Sequence, residues 1–170
     1  GVLGLLELLE HQGISEALQA DAEQTAVRTQ SEFGWRARIG DLELELDRVI
    51  ELYRASTPGE RRPVDDRERM GKMLANANLV ITAWDGDLLV GIARSVTDFV
   101  YTTYLADLAV RLSHQRHGIG RELIRRTQDA CTPETRLVLL AAPKAVTYYP
   151  RVGFERHEQC WQLVPGKQCL

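Results

Sequence analysis

The sequence predicts a mixed α/β fold: one sheet with helices interleaved along the chain, preceded by a helical arm. Three observations carry this. Short runs of apolar and β-branched residues recur between 33 and 164, as strands require. Helical spacing separates them rather than forming a block of its own, which is the pattern of a mixed sheet. Residues 2–30 carry leucines at helical spacing and no β signal, so a boundary falls near SEFG, with an arm over 1–32 and one domain over 33–170.

In the arm, Leu5, Leu8 and Leu9 share a face, Gly13 breaks the run, and Ser15 can cap a second helix to about Thr29. FGWRARI, 33–39, reads as the first strand. Residues 42–55 alternate at Leu42, Leu44 and Leu46 but continue through Val49, Ile50 and Tyr53 at helical spacing, which predicts a helix. The loop STPGERRP leads to a second helix over 65–77. LVITAW and LLVGIARSV flank Asp85-Gly86-Asp87, a hairpin signal. TTYLADLAV, 102–110, predicts another strand, and a helix follows to Cys131 with Ile119, Leu123, Thr127 and Ala130 on one face. RLVLLAA, 136–142, reads as a strand buried on both faces. A short helix over 143–149 and strands at GFERH and CWQLV complete the expected order.

Composition bounds the function. The chain has 170 residues, 44% hydrophobic and 26% charged, with a formal net charge of −3. That balance argues against nucleic acid or an anionic membrane as the main partner. Cys131, Cys160 and Cys169 are odd in number and lack CxxC spacing, the pattern of reduced thiols in a cytoplasmic protein without a disulfide framework or zinc site. The first segment, GVLGLLELLE, carries Glu7 and Glu10 and no basic leader, unlike a signal peptide. The arm reads as a native extension or a fused segment. Its leucine faces need cover from the domain, from a partner or from a second copy in a homodimer.

The chemistry concentrates in SHQRHGIGREL, 113–123, where two glycines fall at the junction of a strand and a helix. A helix start leaves N–H groups unpaired at the positive end of the dipole and attracts phosphate. Gly118 and Gly120 leave room for an anion to approach the backbone, and Arg116 and Arg121 add charge, with His117 as a donor. The competing reading is a glycine-rich turn with solvated charges. Position 123 is Leu123 rather than the third glycine of a dinucleotide-binding turn, and the Lys-Ser/Thr of a P-loop is absent.

LADLAVRLSHQRHGIGRELI resembles the central motif of the GNAT superfamily of acyl-CoA N-acyltransferases, Gln/Arg-x-x-Gly-x-Gly/Ala, through Gln115, Gly118 and Gly120. YYPRVGF resembles the family's Tyr-x-x-x-Gly-Phe through Tyr149, Gly153 and Phe154. The resemblance covers 33–164 and leaves the arm unexplained. It implies a central, mostly antiparallel twisted sheet flanked by helices, with acetyl-CoA as co-substrate and an amine as acceptor. The loop Gln115, Arg116, His117, Gly118, Ile119, Gly120 and Arg121 would hold the pyrophosphate. Leu108, Ala109 and Val110 would pair with the pantetheine arm. Tyr149 would be the acid that protonates the leaving thiolate, with an aromatic packed in the core as the alternative. Where many members place Asn, this chain has Ala142. The loop over 56–63 would help to form the acceptor pocket, and Glu60, Arg61 and Arg62 there carry both signs of charge.

Acyl transfer to an amine also needs an acceptor for the amine's proton and a donor for the oxyanion. Asp107 interrupts an apolar strand two residues before Ala109, on the same side, and is a candidate base; a satisfied strand carboxylate or an amine anchor is the equal alternative. His114 and His117 suit a solvated or phosphate-facing role, and Glu155 and His157 a surface or the rim of an acceptor pocket. An N-acetyltransferase for a small molecule or a protein is the leading function. A non-catalytic acyl-CoA sensor and an interaction module on the same fold are the alternatives.

Overall fold

The structure, a computed structural model, describes residues 33–39 and 46–169. The arm over 1–32 and the start of the helix expected from 42 lie outside the described residues. The chain divides into two compact units, one ending at Val138 and one running from Leu139.

In the first unit five strands lie in the order β1 (Gly34–Ile39), β2 (Leu79–Asp85), β3 (Leu88–Thr97), β4 (Thr102–Val110) and β5 (Arg136–Val138). The first four pair antiparallel in sequence order, and β5 joins β4 in parallel. Asp85 pairs with Leu88, so Gly86 and Asp87 form a two-residue turn, and Gly86 supplies the positive φ of 54° that such a turn needs. Between β1 and β2 come α1 (Leu46–Arg54) and α2 (Arg67–Ala75), joined through a 3₁₀ turn at Thr57–Glu60. Asp66 caps α2, accepting from the Arg69 N–H at 2.9 Å. α3 (Ile119–Asp129) links β4 to β5.

Residues of β2 and β3 are buried almost throughout, so both faces of the sheet are covered. On one face Val49, Leu52 and Tyr53 of α1 and Met70 and Leu74 of α2 pack with Val80, Trp84, Ile92 and Ala109. On the other lies α3. There Gly91 matters, because a Cβ on it would come within 2.9 Å of Ile119 Cγ2 and 3.1 Å of Leu123 Cδ1. Glycine lets the helix approach the strand.

The β3–β4 register carries an irregularity: Arg94 opposes Asp107 while the next residue, Ser95, opposes Leu105. Ala106 is the extra residue of a bulge. Leu105 therefore faces the α3 side with Ser95, whereas Asp107 faces the α1–α2 side with Arg94.

Four expected elements differ from what forms. Only Arg136–Val138 of the 136–142 run is a strand, pairing with Thr102–Tyr104. The parallel ladder stops at Tyr104, just short of the bulge at Ala106. In the second unit the expected helix over 143–149 is replaced by two 3₁₀ turns, Pro143–Ala145 and Tyr149–Val152, each with a proline in its first turn. GFERH and CWQLV form no strand. Phe154 packs its ring on Tyr149 at 5.4 Å rather than joining an apolar row, and no other strand in that unit offers the hydrogen bonds a strand requires.

Candidate active site

In the first unit the end of β4, the loop after it and the first turn of α3 form one continuous structure. Arg111 donates its N–H to the Val90 carbonyl at 2.8 Å, and Leu112 donates to Ala55 at 2.9 Å, so the loop is tied to β3 and to the end of α1. The Arg111 guanidinium pairs with Glu51, which lowers the Glu51 pKa through that hydrogen bond. His114 Nε2 lies 3.2 Å from Asp85 Oδ2 and Nδ1 lies 2.8 Å from Ser113, so this histidine braces the loop against the β2–β3 hairpin.

Gln115 donates its side-chain amide to the Val110 carbonyl at 3.2 Å, folding the loop back on its own strand. Arg116 and Gly118 then adopt left-handed backbones, with φ of 68° and 79°. Gly118 is the N-cap of α3 and supplies no side-chain cap. Its glycine is a matter of conformation, since a Cβ there would meet nothing within 4 Å. The first bond of the helix runs from the Glu122 N–H to the Gly118 carbonyl at 3.0 Å. Arg116 through Arg121 thus present six consecutive N–H groups that donate to no described protein acceptor. Gln115, Arg116, His117, Gly118 and Arg121 are exposed, while Ile119 is buried against β3. A helix start of this kind can take an anion.

Beside the loop, Leu108, Ala109 and Val110 end β4. Because β5 pairs only with Thr102–Tyr104, the outer edge of β4 from Leu105 to Val110 has no strand neighbour among the described residues. An open edge of this kind can pair with an extended ligand.

Asp107 sits on this strand, but its carboxylate is enclosed. Oδ1 accepts from Arg62 Nε at 2.5 Å, and Oδ2 accepts from Arg94 Nε at 2.5 Å and from the Tyr53 hydroxyl at 2.9 Å. Arg94 also donates to the Met73 carbonyl at 3.0 Å, and Arg62 to the Ala106 carbonyl at 2.9 Å. Burial pushes the Tyr53 pKa well up, and the charge of Asp107 adds to this. Three donors therefore take three of the four lone-pair positions of this buried carboxylate. Sequence reasoning missed Arg94, Arg62 and Tyr53 as its partners. The one available signal was that Arg94 and Asp107 each break an otherwise apolar strand.

In the second unit Tyr149 opens the 3₁₀ turn, and Gly153, at φ 94°, closes it. Phe154 returns its N–H to the Tyr149 carbonyl at 3.0 Å. The ring lies between Tyr148 at 5.5 Å and Phe154 at 5.4 Å, edge to face in both cases. Burial raises the Tyr149 pKa, with a smaller push from Tyr148. Its hydroxyl has no partner among the described residues. Ala142 caps the preceding turn, its carbonyl accepting from Ala145 at 2.8 Å. Glu155 and His157 are exposed. Cys131 lies 3.3 Å from the Thr103 hydroxyl and Cys160 and Cys169 are exposed free thiols. Among the described residues no group of three or more His, Cys, Asp or Glu could hold a metal ion, and no helix is long and apolar enough to cross a membrane.

The chain is similar to known proteins in sequence and fold. A ycf52-like uncharacterized N-acetyltransferase of Prochlorococcus marinus is 29% identical over 133 residues. The match covers 74% of this chain and 66% of that protein, just under two thirds of its length. A GNAT-family acetyltransferase of Streptococcus pneumoniae TIGR4 has the same fold with a TM-score of 0.63 and 26% identity, over 78% of this chain and 96% of that one. The aminoglycoside N-acetyltransferase AAC(6')-Iy, solved in complex with CoA, is alike in fold at a TM-score of 0.57 and 17% identity, over 81% and 95% of the two chains. The acetyltransferase (GNAT) domain family matches residues 61–162, a span that takes in β2 to β5, the glycine loop with α3, and the Tyr149 turn. With the loop, the open strand edge and the family match in agreement, this chain belongs to the GNAT acetyltransferases.

Proposed function

We propose that the protein transfers an acetyl group from acetyl-CoA to a primary amine by direct attack within a ternary complex. The observation that carries this reading is the run of six N–H groups from Arg116 to Arg121, unpaired and adjoining the open edge of β4. A diphosphate suits such a cradle, with Arg116 and Arg121 supplying charge and Gln115 fixing the loop. The pantetheine amides pair with the free edge at Leu108, Ala109 and Val110.

The amine nitrogen attacks the thioester carbonyl, and a backbone N–H at the Ala109–Val110 end of β4 stabilises the oxyanion. As the C–S bond breaks, the sulfur takes the proton of the Tyr149 hydroxyl. Burial keeps that hydroxyl protonated at neutral pH and therefore able to donate. The proton lost by the amine passes to water, because the Asp107 side chain is fully buried and already holds three donors. Asp107 serves instead to position Arg62 and Arg94.

That engagement also favours a second reading, an acyl-CoA-binding module without turnover. Free-thiol release from acetyl-CoA, with and without a panel of amines, separates the two, and the enzyme reading expects release that depends on the amine. Gly120→Glu should abolish the thermal stabilisation given by CoA, since it sets a carboxylate at the cradle. Undiminished CoA binding by that variant would show the cradle to be misplaced.

A further inference from the structure

The buried cluster on β4 has an unbalanced charge. Asp107, whose side chain is fully buried, is the single carboxylate paired with two guanidiniums, those of Arg94 and Arg62. Among the side chains the structure describes, no other acid pairs with either arginine, so the cluster carries one excess positive charge. That excess is placed outward. The Arg94 side chain is 10% exposed and that of Arg62 27% exposed.

The geometry of Arg62 shows what remains on offer. Nε donates to Asp107 and Nη2 to the Ala106 carbonyl, which uses one edge of the planar guanidinium. The other edge, formed by Nη1 and the second hydrogen of Nη2, has no partner among the described residues. Two parallel N–H groups on one edge match a carboxylate bidentately. The first edge is locked by a buried carboxylate and a backbone carbonyl, so the free edge is held in place before any ligand arrives.

The surroundings set the rest of the ligand. Tyr104 and Val96 oppose one another across the β3–β4 ladder on the sheet face that carries Arg94, and both are exposed, at 39% and 49%. Tyr104 lies two residues before Ala106, the residue Arg62 grips, and Val96 faces it from β3. A cation and an aromatic–aliphatic pair therefore fall along the same stretch of the β3–β4 ladder.

We propose that Arg62 binds the carboxylate of the acceptor, and that the acceptor is an amine bearing a carboxylate and an apolar group. This rests on the acyltransferase reading above. It resolves the mixed charge of the loop that holds Arg62 in favour of an anionic acceptor, with Asp107 as the positioning residue that aims the guanidinium.

The test compares matched ligands by calorimetry on the full chain, with and without CoA: leucine against leucinamide, phenylalanine against phenylalaninamide, and 6-aminohexanoate against hexylamine. In the wild type at least one carboxylate should bind about tenfold or more tighter than its partner without the carboxylate, the usual worth of hydrogen bonds to a charged group. Arg62→Gln should abolish that preference, and Arg62→Lys, which keeps the charge but loses the fork, should restore only part of it. Equal binding within every pair in the wild type overturns the proposal even if the Gln variant does not fold, and so does a preference that survives in Arg62→Gln. CoA affinity is measured on the same samples. Failure to bind CoA with the carboxylate preference intact counts against the acyltransferase reading alone, whereas CoA binding without the preference counts against the carboxylate site alone.

Discussion

Arg94 and Asp107 oppose each other across the β3–β4 ladder, beside the bulge at Ala106, and meet at 2.5 Å between Nε and Oδ2. Removing one member of a buried ion pair leaves the other charge uncompensated, at a cost of roughly 3–5 kcal/mol. Asp107→Asn should therefore lower the unfolding free energy by that order, because it strands two guanidiniums. Denaturant unfolding checks this. A variant as stable as the parent but inactive would make Asp107 a base rather than an anchor.

Tyr53 donates to the same carboxylate and is itself buried. Tyr53→Phe should destabilise by about 1.5–3 kcal/mol at neutral pH, the range for hydrogen bonds to charged groups. The pH dependence has a definite sign. The folded-state pKa of Tyr53 is raised, so its contribution is complete below the unfolded value, about 10, and is lost as pH rises beyond it. The stability gap between parent and variant should close on the alkaline side and stay flat from pH 7 to 9. Urea midpoints from pH 7 to about 11 measure it.

Two glycines should respond differently to alanine. Gly91→Ala drives a methyl group to 2.9 Å from Ile119 Cγ2 and should cost about 1–3 kcal/mol through overpacking. Gly118→Ala meets no atom within 4 Å, and its cost is the left-handed backbone, roughly 1–2 kcal/mol. Because Gly118 lies within the cradle, the second variant should also weaken CoA binding, whereas Gly91→Ala should change stability alone. Thermal shifts with and without CoA distinguish the two.

Local signals explain what was legible in the sequence. The alternation of TTYLADLAV and its turn boundaries gave β4 as Thr102–Val110, and the Asp-Gly turn gave the hairpin. The glycine pair located the start of α3. The partners of Asp107 were hidden because Arg62 lies 45 residues away and the face Asp107 takes depends on the bulge at Ala106, which no local pattern marks. The apolar run 136–142 reads as a strand buried on both faces, yet none of its residues is fully buried, because composition reports apolarity and neither pairing nor cover. Its ladder ends at Val138. Likewise GFERH offered one apolar anchor, Phe154, which Tyr149 takes.

The most direct measurement of the central claim is free-thiol release from acetyl-CoA, driven by an amine acceptor, in the parent and in Tyr149→Phe. The substitution keeps the ring between Tyr148 and Phe154 and removes only the proton donor. The expected result is amine-dependent release in the parent and a turnover lower by about a hundredfold in the variant, with CoA affinity unchanged. Equal turnover in the two proteins, or release that ignores the amine, would contradict the account.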